Sequence, residues 1–313
     1  MNAQIVFQQM IVIVALVCLG IWMYKRNYIN DELSGKLSTI VVDVCNPLLC
    51  ISCALDAEVT ASHRDIALAI GIAAVVYLAL IVGGFLIPKI CRTKQEEQKF
   101  YHMMLVYANT GFIGIPVARA VLPPESMVYI IIFNIMFSVF FYSHGVFVMK
   151  SGHPADQADT KSGLAVVLSP GIICSLLTVL IFWFDISLPG IVANCILYIG
   201  NATTFLSMSL LGCSFATASM KVLFSNPRMY LFVLIKMLLI PLGFGYLMSL
   251  LGVNEEMIQA FVLMLAMPVA NMPLMLAKKN GEDTGVLTQG ILLTTLFTPV
   301  TLTVVSFVLA III

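Results

Sequence analysis

The sequence predicts an all-α polytopic membrane protein. Ten transmembrane helices form two inverted five-helix repeats, and the fourth and ninth helices are broken at their centres and cross. Three observations carry that expectation. Apolar residues fill 60% of the 313 positions and charged ones only 10%, and mean hydropathy is +1.02, so charges are too few for a soluble surface. The apolar residues fall in stretches near the ~20 residues that a helix needs to cross the hydrocarbon core. Helix-breaking residues recur at matching places in the two halves, in residues 108–116 ("ANTGFIGIP") and 268–273 ("PVANMP").

The spans lie at about 4–24, 36–55, 66–90, 100–122, 126–149, 163–184, 190–218, 228–251, 256–277 and 286–312, joined by short polar linkers. The first ten residues, "MNAQIVFQQM", carry no Lys or Arg ahead of the apolar core, so the first span is expected to be retained rather than cleaved as a secretory signal. The longest linker, 150–162 ("KSGHPADQADTKS"), falls at the middle and separates the repeats, 1–149 and 163–313. Most of the 16 Lys and Arg, such as Lys25, Arg26, Lys89, Lys94, Lys278 and Lys279, fall in loops after odd-numbered spans. By the positive-inside rule those loops are cytoplasmic and both termini lie on the other side.

Composition also excludes. Net charge is formally zero, which offers no electrostatic footprint for nucleic acid. The sequence has no G-x-x-x-x-G-K-[ST] loop for direct ATP coupling, and no H-E-x-x-H or G-x-S-x-G, so an enzyme is not expected. Cys50 and Cys53 have metal-ligand spacing but no second Cys or His pair to complete a site. No metal or cofactor is expected.

A shift that lays Pro116 on Pro273 also lays Gly114 on Asn271 and the first five spans on the last five. Five is odd, so the second half enters the membrane from the opposite face, as in an inverted repeat. Broken backbone at membrane depth is tolerated only where it is buried in protein or lines a cavity. Pro116 donates no backbone hydrogen bond and disfavours helical geometry at Ile115, while Gly111 and Gly114 let a backbone or a ligand come close. Two such segments are expected to meet near the midplane, where half-helix N-termini and the amides of Asn109 and Asn271 suit a carboxylate. The plainer reading makes each proline a kink.

At these residues the chain resembles the auxin efflux carrier family of secondary transporters, in its bacterial branch. "YANTGFIGIPVARAV" is similar to the family's fourth-helix motif, "AMPVANMPLMLAKKNGED" to its ninth, "NATTFLSMSLLGCSFA" to its seventh, and "LSPGIICSLLTVL" to the start of its second half. The resemblance implies a scaffold of helices one, two, six and seven that forms a homodimer, and a transport unit of helices three to five and eight to ten that shifts like an elevator. It also implies a multi-pass protein of the bacterial inner membrane that moves small organic anions, such as malate, malonate or auxin-like acids, with proton or sodium coupling. Carried over residue by residue, Asn109, Thr110, Gly111, Gly114 and Pro116 form one side of the substrate site, and Pro268, Asn271 and Pro273 the other. An amino-acid carrier and a sodium-coupled anion symporter stand as alternatives. A channel would need rings of charge that are missing here, and a sensor would need a soluble output domain.

Several polar residues inside spans have two readings each. Asp43 either pairs with a base or serves proton coupling or gating; Lys236 either snorkels to the cytoplasmic face or contacts the anion. Asn46, Asn201, Thr203 and Thr204 either line the path or join helices, and Arg119 is either bulk in the pocket or an anion contact. His102 and His144 are expected as satisfied interfacial residues, and Asn134 as an interhelical bond.

Overall fold

A computed structural model describes residues 3–56, 62–150, 170–184, 186, 188–217, 223–279 and 282–313. Beyond Lys150, the expected linker and residues 163–169 of the sixth span lie outside the described residues. Among those described the chain is almost entirely helical, without a β-strand. The helices are α1 (Ala3–Lys25), α2 (Asp31–Ile40), α3 (Asn46–Asp56), α4 (His63–Ile90), α5 (Gln98–Val106), α6 (Ile115–Val121), α7 (Met127–Phe140) and α8 (Val146–Lys150). The second half holds α9 (Pro170–Phe184), α10 (Gly190–Thr217), α11 (Pro227–Leu234), α12 (Ile240–Leu250), α13 (Glu255–Leu265), α14 (Met272–Lys279) and α15 (Gly285–Ile312). Wide π-helical turns link α2 to α3 (Val41–Cys45), α7 to α8 (Phe141–Gly145) and α11 to α12 (Ile235–Leu239), and another (Thr110–Gly114) leads into α6.

Seven helical stretches among the described residues are long and apolar enough to cross a membrane: Gln4–Lys25, Asp31–Ser52, His63–Ile90, Pro124–Met149, Gly190–Thr217, Pro227–Leu250 and Gly285–Ile312. The other three expected spans fall short for definite reasons. Two are interrupted, between α5 and α6 and between α13 and α14, and the sixth is described only over the 15 residues of α9.

Helix starts follow local chemistry. Asn30 Oδ1 accepts from Leu33 N at 2.8 Å, and Asn254 Oδ1 from Met257 N at 2.8 Å, each satisfying an N–H that the first helical turn leaves open. Ser62 and Asp65 form a reciprocal capping box ahead of α4. Ties between loops set the two ends of the bundle. Lys99 pairs with Glu282, and Asn226 Nδ2 donates to Tyr101 Oη at 3.3 Å, holding the starts of α5, α11 and α15 together. At the other end Asn254 Nδ2 donates to Tyr129 Oη at 3.1 Å, joining α13 to α7.

Burial is deep in the half-helices that lead into the two breaks. Every residue of α13 from Met257 to Leu265 is buried, as is every residue of α5 from Phe100 to Val106. The intact helices α1, α4 and α15 present large apolar side chains outward, such as Phe7, Val75, Phe85, Val300 and Phe307. Lipid offers no hydrogen bonds, so the broken backbones are enclosed, and the uninterrupted α7 is enclosed with them, buried from Met127 to Asn134. Close contact between α1 and α10 is made by glycine: a Cβ on Gly20 would fall on the backbone of Ser209, and one on Gly212 on the backbone of Val17 and Ile21.

Candidate functional site

Helix α5 stops at Val106 and α13 at Leu265, and the two interruptions touch. Ala108 and Val269 form an isolated antiparallel bridge, in which Asn109 N donates to Pro268 O at 2.7 Å and Ala270 N to Tyr107 O at 3.0 Å. The remaining open groups find specific partners. Val269 N donates to Thr294 Oγ1 on α15 at 3.1 Å, and Met267 O and Leu265 O accept from Lys236 Nζ at 2.8 and 3.5 Å. Asn109 acts as an N-cap at membrane depth, its Oδ1 accepting from Phe112 N at 3.2 Å while its carbonyl accepts from Gly114 N at 2.9 Å. Two broken backbones thus satisfy each other, with help from one hydroxyl, one ammonium and one amide.

Pro273 is the second residue of α14, where a missing N–H costs nothing, whereas Pro116 is the seventh residue of the helical stretch that begins at Thr110. Pro273 thus starts its half-helix, while Pro116 lies where the π-helical turn passes into α6. Gly111 packs against α3, where an added Cβ would stand 3.0 Å from Asn46 Nδ2. At Gly114 a Cβ would stand 2.8 Å from Met264 Sδ and 3.3 Å from Asn109 O, so bulk there would part α6 from α13. Thr110 Oγ1 donates to Asn134 Oδ1 on α7 at 2.8 Å.

Asn109 and Asn271 meet at one small cavity of about 30 Å³, with Phe112, Ser207 and Ser38 also in its wall. That is room for about one water. Asn109 is 6% exposed and Asn271 half-buried. The cavity lies where the crossing faces α2 and α10, and Ser207 Oγ reaches from α10 to within 3.3 Å of Phe112 O. The N-terminal turns that begin at Thr110 and Met272 both start beside it, and such turns carry partial positive charge.

The other sequence-selected residues are dispersed. Asn46 sits behind Gly111 with its Oδ1 buried and without a hydrogen-bond partner. Arg119, on α6, donates from Nη1 to Ser52 Oγ at 3.2 Å and to Asn201 Oδ1 at 3.1 Å, tying α6 to α3 and α10. Arg119, Asn201 and Thr204 share a larger cavity of about 250 Å³ with Gln9 and Pro116. Thr203 is buried on α10. Asp43 is exposed on the outer side of its π-helical turn, apart from the crossing. Lys236 does not snorkel: it is 2% exposed and bound to the end of α13. His102 and His144 correct the expectation of satisfied interfacial residues. Close packing of α4, α5 and the turn Phe141–Gly145 puts their rings 5.0 Å apart and buries both Nε2 atoms without a partner, although His144 Nδ1 lies 3.0 Å from Tyr107 Oη.

Sequence reasoning gave no role to Tyr107, Thr294 or Ser207. Tyr107 carries one side of the bridge, and its hydroxyl donates to Phe140 O at 2.9 Å. Its place directly before the Asn-Thr-Gly run was the available signal. Thr294 and Ser207 have none, since a hydroxyl in a membrane helix commonly bonds its own helix, as both also do here.

Taken together, these features define a polytopic helical membrane protein with two interrupted helices apposed inside the bundle and a polar cavity against their junction. The family of auxin efflux carrier-like proteins, described as membrane transport protein, matches residues 5–306, and the chain belongs to it. No curated protein matches the chain.

Proposed function

We propose that this protein is a secondary active carrier of small organic anions, carboxylates such as malate, malonate or auxin-like acids, held at the junction of the two interrupted helices. The supporting observation is that Asn109 and Asn271, one from each interruption, face one cavity beside two half-helix N-termini. In this reading the site comprises Asn109, Thr110, Gly111, Gly114 and Pro116 on one side and Pro268, Asn271 and Pro273 on the other. At about 30 Å³ the cavity has room for about one water, so a carboxylate fits only after a rearrangement. An elevator-type shift of α4–α8 and α11–α15 against α1–α3, α9 and α10 would supply it. The fold is then read as two inverted five-helix repeats in the bacterial inner membrane, with both termini outside and the scaffold paired as a homodimer.

Counterflow tests the reading. Proteoliposomes preloaded with unlabelled malate or malonate should accumulate labelled anion transiently and saturably. Linear, non-saturable flux without counterflow would point to a channel and sink it.

In this reading the cavity of about 250 Å³ at Arg119 would serve as the mouth of the path on the extracytoplasmic side. A guanidinium there raises the local anion concentration, and salt screens the effect. Arg119→Gln should raise the KM for external anion by about 3–10-fold while kcat changes little. High ionic strength should shift wild type in the same direction and the variant less. An unchanged KM would return Arg119 to a purely structural tie.

A further inference from the structure

Lys236 lies on the π-helical turn Ile235–Leu239, which widens the helix and buries Lys236 together with Met237. It is 2% exposed. Its Nζ donates to Met267 O at 2.8 Å and to Leu265 O at 3.5 Å. Leu265 ends α13 and Met267 follows two residues later, so both carbonyls belong to the abandoned C-terminal end of a half-helix, the negative end of its dipole. Among the described residues no carboxylate lies within ion-pair distance of Lys236. Nor does any group of three or more His, Cys, Asp or Glu there offer a metal site.

Counter-charge for this ammonium therefore comes from peptide carbonyls. Unwound carbonyls at the C-terminal end of a half-helix are also the ligands that hold a free monovalent cation in membrane transporters, where they replace its hydration shell. Lys236 is not in the wall of the Asn109–Asn271 cavity, so its hydrogen bonds serve the broken backbone rather than a solute there. We propose that the Lys236 ammonium is a built-in cation at the crossing. Tethered by its own side chain, it fills the place that a free monovalent cation would otherwise take, so the crossing is complete without sodium.

The inference rests on reading the crossing as the transport site, but its test needs no solute. Purified wild-type protein should melt within about 1 °C of the same temperature in sodium, lithium, potassium or choline chloride at equal ionic strength. Lys236→Ala should melt about 5–10 °C lower in choline, since two charge-assisted bonds are lost. Saturating sodium or lithium, or ethylammonium that replaces the lost group, should restore several degrees. Lys236→Arg, which keeps a charged donor, should stay indifferent to the cation. If Lys236→Ala yields too little folded protein, the same panel on Lys236→Met, which keeps the stem, decides. The proposal is overturned if wild type itself is stabilised by sodium over choline by more than about 3 °C, if the neutral variants melt like wild type, or if their loss is equal in every cation. Absence of anion counterflow would leave these melting results standing, and their failure would leave the carrier reading intact.

Discussion

Gly212→Leu should leave little folded protein. A Cβ at this position would stand 2.7 Å from Ile21 N and 2.8 Å from Gly20 C, and closer still to Val17 O. All of these are backbone atoms of α1, which cannot rotate away as a side chain would. Gly20 presents the reciprocal surface, where a Cβ would stand 2.7 Å from Ser209 Cα. Cys213 adds a contact of the same kind, its Sγ lying 3.9 Å from Gly20 O. Between membrane helices the lipid supplies no hydrophobic drive, so close van der Waals packing of small residues is what associates them. Forcing α1 and α10 apart gives up that packing along the crossing, and the expected loss is more than about 4 kcal/mol, beyond ordinary overpacking. The monodisperse fraction on size exclusion and the melting temperature would read it. Gly71→Leu is the control, because a Cβ at Gly71 meets nothing within 4 Å. Gly212→Ala should fall between. If Gly212→Leu behaves like Gly71→Leu, the α1–α10 contact does not hold this fold.

What was legible in the sequence follows from which forces are local. Apolar length is local, so His63–Ile90 and Gly285–Ile312 lie within a few residues of the expected 66–90 and 286–312. Broken helices are legible where helix-breaking residues cluster: Pro268 lies in one break and Pro273 at the start of the half-helix after it, while Gly111, Gly114 and Pro116 lie in the helical stretch just after the other. Pairing of the two breaks was inferable only from the matched halves, because residues as distant in sequence as Ala108 and Val269 carry no mutual signal. The π-helical turns were not legible at all. Those at Val41–Cys45 and Ile235–Leu239 contain Asp43 and Lys236, and tertiary packing decides that one is exposed and the other buried. The sequence raised both residues as candidates because charge in a span is costly, but where each points lies beyond periodicity. The histidines were misjudged at their Nε2 atoms for a related reason, since nearness to a span end says nothing about the helix packed over it.

Asn109→Ala and Asn271→Ala are each expected to lower kcat/KM for the carried anion by at least about 10–100-fold, and comparing them separates binding from folding. A hydrogen bond to a charged group contributes about 1.5–3 kcal/mol, which is that range when one donor is removed. Asn109 also caps Phe112 N, so Asn109→Ala should cost about 1 kcal/mol of stability and lower the melting temperature by about 2–4 °C. Asn271 serves its helix through its backbone, its carbonyl accepting from Met275 N at 3.0 Å, and alanine keeps that bond. Asn271→Ala should therefore lose transport with an unchanged melting temperature. If both amides hold one anion, the double variant will be less impaired than the product of the two single losses, because residues gripping one ligand are coupled. Independent losses that simply multiply would mean the amides act at separate points along the path. Transport at the wild-type rate in both single variants would remove the crossing from the site altogether.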